Sequence, residues 1–269
     1  MKLGGIINSF LIRFGYKIVA VDLKTKRTFT EERLLQELTS LNAVYNQYVF
    51  DKELMIDEEG LKLLSISMYT KFGTGLWLVY YLRQSLALNG DVCEFGVGQG
   101  AISALLAHEI KNTDKKIWLF DIFEGFTNPP EKDIPLRYPG TPGSIEGYKG
   151  EISFPEKMVR TRLSHLNFPH DRIRIVPGFI EKTINGPILP QTVCFAYVDM
   201  NYYEPISIAL RFLDTVLQPG GFIIVDDYNF VIHGVKAAVD EFFDCRKDRY
   251  SMDFPDTLGK TFCVLSRKK

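Results

Sequence analysis

The stretch Asp91–Gly100, which reads DVCEFGVGQG, decides the fold of this chain. It is a short apolar run that ends in glycines, and the helical pattern AISALLAHEIK follows it directly. Gly96, Gly98 and Gly100 lack side chains where the backbone must turn sharply and approach a ligand. With Ala101 as the third small residue, the loop also satisfies a loose dinucleotide-binding fingerprint. A tight strand-to-helix turn without a ligand has the same spacing, so the loop predicts a fold before it predicts a function.

Strand-like and helical patterns alternate from this loop toward the carboxyl end of the sequence. The apolar runs KIWLFD, IRIVPGF, CFAYVDM and GGFIIVDDY each read as a strand, and most of these runs are separated by helical patterns. Such alternation predicts an α/β fold with a doubly wound, mostly parallel sheet that has helices on both faces. The last two runs, YSMDF and TFCVLSRK, predict an antiparallel terminal hairpin.

Helical periodicity dominates the part of the sequence before the glycine loop, where apolar residues recur at three- and four-residue steps. We therefore predict a helical N-terminal extension over residues 1–84 and a Rossmann-like domain over residues 85–269. Residues 127–150 of that domain are irregular and rich in proline and glycine. Long irregular segments in compact domains often carry function, so we interpret this one as a lid-like insertion.

The composition excludes several classes of protein. The 269 residues include 32 Lys and Arg against 33 Asp and Glu, so bulk charge does not predict a nucleic-acid binder. The cysteines are far apart and form no Cys-x-x-Cys pair, which excludes common zinc-ribbon spacings and a disulfide framework. A cytoplasmic protein is the simplest interpretation. The cysteines are Cys93, Cys194, Cys245 and Cys263.

The N-terminal stretch Gly4–Val21 is apolar, but Arg13 and Lys17 interrupt it. It therefore falls short of the roughly 18–20 uncharged apolar residues that a spanning helix needs. We expect a helix that packs on the domain or on a second copy of the chain in a homo-oligomer, with a dimer as the simplest case. Contact with a membrane surface is the alternative, because the interrupting charges are basic.

Acidic residues end most of the predicted strands. In an open α/β sheet the ligand lies outside the carboxyl ends of the strands, at the topological switch point. Four of the five predicted parallel strands place carboxylates there, so a single crevice should collect them. These acids are Glu94, Asp121, Asp199, Asp226 and Asp227.

The acid before the glycine loop favours a cationic ligand. Glu94 lies two residues before the first glycine, where it would repel a pyrophosphate but suits a cation. S-adenosylmethionine carries a sulfonium and an amino group, and both are cationic. Asp121, at the end of the next strand, can accept two hydrogen bonds from a ribose diol, a role that NAD sites share.

Asp199, Asp226 and Asp227 form a second acidic group at the ends of two later strands. Buried carboxylates repel each other unless a cation pairs with them. Oxygen ligands without a neighbouring histidine or cysteine select a hard divalent ion, Mg²⁺ first and Ca²⁺ or Mn²⁺ as alternatives. Such an ion would bind a substrate hydroxyl, lower its pKa and orient it for in-line attack on a methyl group. The alternative to metal binding is that one or more of these aspartates cap helices or accept hydrogen bonds from backbone amides.

These motifs resemble those of the macrocin-type O-methyltransferases, from about Met68 to Phe243. The matching segments are EFGVGQG, DIFEGF, VPGFIEKTI, YVDMNYYE and PGGFIIVDDY. The resemblance implies a Mg²⁺- and S-adenosylmethionine-dependent enzyme that methylates sugar hydroxyls. It implies metal ligands at Asp199, Asp226 and Asp227. For the cofactor it implies Glu94, the glycines Gly96, Gly98 and Gly100, Asp121 toward the ribose and Phe123 near the adenine.

The chain departs from the family pattern at one position. The family usually has Asp-Gly-Asp at a strand end where this chain has Asp199-Met200-Asn201. An amide can orient a hydroxyl but cannot take its proton at neutral pH. The candidates for proton transfer are therefore metal-bound Asp199, His233 and Tyr228, with Asn201 as an orienting residue.

We predict transfer of a methyl group from S-adenosylmethionine to a hydroxyl of a sugar or a glycosylated natural product. A catalytically silent relative that binds the cofactor within an assembly complex is the first alternative, and the Asn201 replacement favours it. A NAD-dependent oxidoreductase is the second alternative, but it assigns no role to the clustered aspartates.

Overall fold

The computed structural model describes residues 31–49, 54–65, 72–127, 133, 150, 153–229, 233–255 and 261–269. The chain divides into two compact units, Met1–Leu41 and Asn42–Lys269. The described part of the first unit is helical, and the second unit contains the sheet. The predicted helix over Gly4–Val21 lies outside the described residues, and the predicted boundary after residue 84 stays a prediction.

The described residues form the following elements. The helices are α1 (Glu31–Tyr48), α2 (Glu58–Ser65), α3 (Phe72–Ser85), α4 (Ala101–Ile110), α5 (Glu156–His165), α6 (Ile180–Thr183), α7 (Tyr203–Val216) and α8 (His233–Asp244). The strands are β1 (Asp91–Phe95), β2 (Ile117–Asp121), β3 (Ile173–Pro177), β4 (Val193–Val198), β5 (Leu217–Val225), β6 (Tyr250–Asp253) and β7 (Cys263–Arg267). Within the described ranges, no helix is both long and apolar enough to cross a bilayer.

The strands form one sheet in the order β3-β2-β1-β4-β5-β7-β6. The first five strands of the sequence run parallel, and β7 pairs antiparallel with both β5 and β6. This topology confirms the predicted α/β, doubly wound, mostly parallel sheet with an antiparallel terminal hairpin. The strand order reverses direction between β1 and β4, so the switch point lies between these two neighbours.

The strand register brings the carboxyl ends into line. Phe95 pairs with Phe120 on one side and with Val198 on the other, and Val198 pairs with Val225. Because these pairs align, the residues that follow them lie in one row across four adjacent strands. The residues in this row are Gly96, Asp121, Asp199 and Asp226.

Continuous apolar runs produce the central strands because helices cover both faces of a parallel sheet. Every residue of β4 is buried, and Cys194 lies among them as a free thiol. Cys93 and Cys263 are also buried free thiols, so they pack as small core residues. Helix α7 packs on this core with an apolar stripe at helical spacing, formed by Ile206, Ala209, Leu210 and Leu213.

Candidate active site at the switch point

The glycine loop joins β1 to α4 through left-handed backbone positions. Gly96, Gly98 and Gly100 have φ angles of 86°, 52° and 79°. A Cβ on Gly96 would lie 1.9 Å from the backbone oxygen of Asp199, so the loop touches the end of β4 backbone to backbone. A Cβ on Gly98 would meet no described atom within 4 Å, so the loop faces open space there. The backbone at Gly98 is therefore accessible to a ligand, next to the switch point.

Asp121 holds the glycine loop through backbone amides. Its Oδ2 accepts hydrogen bonds from the N–H groups of Val97 (2.7 Å) and Gly98 (2.9 Å). Its Oδ1 accepts one from the N–H of Phe123 (2.6 Å), which adopts φ 56°. A carboxylate offers about four acceptor positions. One of them therefore remains in the ligand-free protein, and the predicted bonds from Asp121 to a ribose diol stay a prediction.

Glu94 is an enclosed acid directly beneath the loop. Its side chain is 1% exposed and accepts a hydrogen bond from the Ser103 hydroxyl of α4. Burial raises the pKa of Glu94 well above its usual value, and the nearby carboxylates of Asp121 and Asp199 raise it further. The ionised form of Glu94 therefore requires a positive charge nearby.

Asp199 and Asp226 come together across β4 and β5, as predicted from the strand ends. The buried Tyr197 hydroxyl lies between them, 2.6 Å from Asp226 Oδ2 and 3.4 Å from Asp199 Oδ2. A phenol has one proton to donate. The shorter bond is therefore the donation to Asp226, and Asp199 keeps the weaker contact.

The electrostatics of this pair favour a bound cation. Burial raises the pKa of Asp199 to about 8, with a further contribution from the charge of Asp226 and a smaller one from Asp121. The ionisation of two desolvated carboxylates side by side costs much free energy unless a positive charge offsets their repulsion. The row of strand ends thus collects negative charge that a cationic ligand would stabilise.

The predicted three-acid metal centre is not formed in the part of the chain that the structure describes, where no three His, Cys, Asp or Glu side chains cluster as metal ligands. Asp227 has a left-handed backbone, φ 53°, and its N–H donates to Asp226 Oδ1 at 3.0 Å. Asp199 and Asp226 are thus the acids that meet, and Asp227 does not complete a set of three. Metal binding stays a prediction.

The structure describes the side chains of Asn201 and Tyr228, two of the residues predicted to take part in proton transfer or acceptor orientation. Asn201, at φ 62°, places its Nδ2 3.5 Å from Asp199 Oδ1, in reach to orient that carboxylate. The Tyr228 hydroxyl donates to Asp240 Oδ1 at 2.6 Å, and burial raises the pKa of Tyr228 to about 12. Tyr228 is therefore protonated at neutral pH and is unsuited to act as a base there. His233 begins α8, but its side chain lies outside the described residues.

Sequence reasoning missed two residues of this region, Tyr197 and Asp133. Tyr197 lies two positions before Asp199 on β4, and residues two apart share one face of a strand. That spacing was the signal for a side chain beside the predicted acid. Asp133 belongs to the irregular segment 127–150, where no periodic pattern marks a buried position. Phe123 has a defined backbone, and its predicted contact with adenine stays a prediction.

The strand order and the glycine loop define a Rossmann-like α/β protein. The solved structure of the O-methyltransferase NovP matches with a TM-score of 0.59 at 19% identity, over 89% of this chain and 98% of that one. The calicheamicin methyltransferase CalS11 matches with a TM-score of 0.56 at 20% identity, over 92% of this chain and 97% of that one. At these identities the likeness shows the fold alone.

The sequence identifies the family. The model described as Macrocin-O-methyltransferase (TylF) matches residues 83–262, and the chain belongs to this family. The predicted resemblance is confirmed.

Two similar relatives are O-methyltransferases by name. A tetracenomycin rhamnosyl 4'-O-methyltransferase from Streptomyces olivaceus is 27% identical over 62% of this chain. Mycinamicin III 3''-O-methyltransferase from Micromonospora griseorubida is 28% identical over 58% of it. In each case the aligned part spans 61% of the relative.

Proposed function

We propose that this protein transfers a methyl group from S-adenosylmethionine to a hydroxyl of a sugar or a glycosylated natural product. Membership in the macrocin O-methyltransferase family supports the reaction, and the names of the relatives support the acceptor class. The observation that carries the proposal is the group of carboxylates at the switch point, which consists of the buried Glu94 and the partly buried Asp121, Asp199 and Asp226. Its acids require a cationic partner, and the methyl donor is a cation.

The residues around the glycine loop fit the cofactor. The open space at Gly98 would let the ligand approach the backbone of the glycine loop closely. The acceptor position of Asp121 that no backbone amide uses suits one ribose hydroxyl. Glu94 would supply negative charge beneath the sulfonium or the amino group. The proposed cofactor residues are Glu94, Gly96, Gly98, Gly100, Asp121 and Phe123.

A divalent cation is the finer part of the proposal. Asp199 and Asp226 would hold it, because Mg²⁺ is commonly bound by one or two carboxylates and completes its shell with water or substrate oxygens. When bound, it would lower the pKa of a coordinated hydroxyl. Asp227 keeps the role of a third ligand only if the backbone after β5 rearranges.

The side chains of the β4 end would orient the acceptor. Methyl transfer needs the acceptor oxygen, the methyl carbon and the sulfur in line, so positioning supplies much of the rate gain. Asn201 Nδ2 would fix the Asp199 carboxylate, and an ionised Asp199 oxygen would take the proton that leaves the hydroxyl. His233 stays a predicted alternative for that proton.

The test is a transfer assay with S-adenosylmethionine labelled on its methyl group and a panel of rhamnosides. We expect labelled sugar with the wild type and at least a hundredfold less with Asp199→Asn, an effect within the range of general-base loss. Asp171→Asn, an exposed acid before β3, is the matched control and should retain activity. Cofactor that fails to bind would contradict the proposal.

Metal dependence has its own readout in the same assay. EDTA should abolish transfer, and added Mg²⁺ should restore it. Full activity in EDTA would contradict the divalent cation while leaving the methyl transfer standing.

Asn201 favours a second candidate, a cofactor-binding relative without turnover. Its amide stands where the family pattern has an acid, two residues after Asp199. This candidate predicts tight cofactor binding and no labelled product on any sugar of the panel. Restoration of the acid by Asn201→Asp would then produce activity if the replacement alone silenced the site.

A further inference from the structure

Asp133 is a buried acid that no role described above includes. It lies in the segment between β2 and α5 and is 3% exposed. Its Oδ1 accepts a hydrogen bond of 2.9 Å from the backbone N–H of Tyr203, the first residue of α7. The carboxylate therefore caps the helix that follows the Asp199 strand end.

The fold makes room for this carboxylate at the start of α8. A Cβ on Gly234 would lie 1.7 Å from Asp133 Oδ1 and 3.0 Å from the Cβ of Tyr203. Asp133 thus occupies the space between the first turns of α7 and α8. Any larger residue at position 234 would expel it.

One oxygen of this buried acid has no hydrogen-bond donor among the residues that the structure describes. Asp133 Oδ2 is enclosed and lacks a partner within those residues, whereas Oδ1 is bonded. An enclosed carboxylate oxygen without a donor is costly. Burial raises the pKa of Asp133 as a consequence, although its bond to Tyr203 opposes the shift. A ligand that brings an O–H or N–H group would remove this cost.

The location assigns Asp133 to the acceptor side of the switch point. The glycine loop and Asp121 belong to β1 and β2, whereas Asp133 lies where the chain leaves β4 and enters α8 after β5. The same segment is fastened to this region at Thr127, whose carbonyl accepts a hydrogen bond of 2.9 Å from the Tyr202 hydroxyl. The Phe126 ring meets the Tyr202 ring edge-on, with centroids 6.2 Å apart.

We propose that Asp133 binds a hydroxyl of the acceptor sugar through its Oδ2, at a position other than the hydroxyl that is methylated. The inference rests on the proposed function, because it names a residue that selects the acceptor. A carboxylate that is held at one oxygen by the Tyr203 N–H and lacks a donor at the other would accept a hydrogen bond from a sugar hydroxyl beside the α7 terminus. Asp133 is thus a specificity-determining residue supplied by the segment between β2 and α5.

The experiment measures sugar binding to the full chain saturated with S-adenosylhomocysteine, which cannot react. Methyl α-L-rhamnopyranoside and TDP-rhamnose are the probes, chosen because a relative and a structural neighbour carry rhamnose in their names. Asp133→Asn keeps an oxygen for the Tyr203 N–H but presents an amide donor where Oδ2 stood. Asp171→Asn is the control, and Gly234→Ala displaces Asp133 without altering charge.

We expect Asp133→Asn to weaken sugar binding about tenfold or more, with affinity for S-adenosylhomocysteine and the unfolding temperature close to those of the wild type. Gly234→Ala should weaken sugar binding to a similar degree, and the control should not. Sugar affinity within twofold of the wild type in Asp133→Asn would overturn the inference. So would a wild type that binds S-adenosylhomocysteine but neither probe. A wild type that fails to bind S-adenosylhomocysteine would contradict the proposed function itself, and this inference with it.

Discussion

The two sides of the switch point use their acids differently. On the β1–β2 side, Asp121 accepts hydrogen bonds from three backbone N–H groups, and Glu94 accepts one from the Ser103 hydroxyl of α4. These carboxylates therefore bond to groups of the protein itself. On the β4–β5 side, Asp199 and Asp226 share the Tyr197 hydroxyl. The first side is preorganised by the backbone, and the second keeps acceptor oxygens for groups from outside. A methyl donor suits the first side and an acceptor suits the second.

The largest loss of stability is expected for a substitution that breaks the contact between the two sides. Gly96→Ala should lower the free energy of unfolding by at least about 3 kcal/mol, because its Cβ would overlap the Asp199 carbonyl at a left-handed position. Gly98→Ala is the matched control with a similar φ but open space around it, so about 1 kcal/mol is expected. Urea denaturation measures both variants. Equal losses would show that the two glycines serve only backbone conformation.

The pH dependence of stability comes next and tests the acceptor side. The pKa of Asp199 is about 8 in the folded protein against 3.8 in the unfolded chain, so the folded state binds more protons between these values. The contribution of Asp199 is fully present below about pH 4 and is lost as the pH rises toward about 8, by at most about 1.4 kcal/mol per pH unit.

Asp199→Asn should flatten this fall in the ligand-free protein, as chemical denaturation at a series of pH values would show. Glu94 contributes in the same direction and would leave a residual slope. An unchanged slope in the variant would mean that Asp199 ionises normally.

Much of the fold could be predicted because uninterrupted apolar runs are typical of strands covered on both faces. The fully buried β4 and the alternating helices follow from that pattern. The convergence of Asp121, Asp199 and Asp226 also followed, since each acid directly ends its strand or comes after it.

The hydrogen bonds of the site could not be predicted. Asp121 accepts hydrogen bonds from two amides of the glycine loop, and such left-handed loop conformations leave no periodic signal in the sequence, whereas its predicted contact with a ribose diol stays a prediction. Among the described residues, Asp199, Asp226 and Asp227 do not cluster as three metal ligands, so metal binding by this set stays a prediction. The burial of Asp133 could not be predicted from the sequence, because it depends on the missing side chain at Gly234, about a hundred residues away.

Asp121→Asn tests the preorganised side with a smaller effect. The amide keeps one acceptor oxygen for three N–H groups, so about 2 kcal/mol of stability and much of the cofactor affinity should be lost. Calorimetry with S-adenosylhomocysteine and urea denaturation measure the two losses. Asp171→Asn should change neither, and unaltered cofactor affinity in Asp121→Asn would separate the loop from the cofactor.

Tyr197→Phe removes the hydroxyl between the two acids and has the smallest expected cost, about 1 kcal/mol. The Tyr197 hydroxyl lowers the pKa of Asp199, so its loss should shift the pH profile of kcat toward higher pH. Tyr202→Phe is the control, because that hydroxyl bonds to the Thr127 carbonyl instead. A lower kcat with an unshifted profile would mean that Tyr197 acts only through stability.

The most direct test of the cation requirement is proton release when the cofactor binds. Calorimetry in buffers of different ionisation enthalpy at pH 7 counts the protons released by S-adenosylmethionine and by S-adenosylhomocysteine, which lacks the sulfonium charge. The account predicts a larger release with the cation, because its charge would lower the raised pKa values of Asp199 and Glu94. Equal release by the two ligands would contradict it.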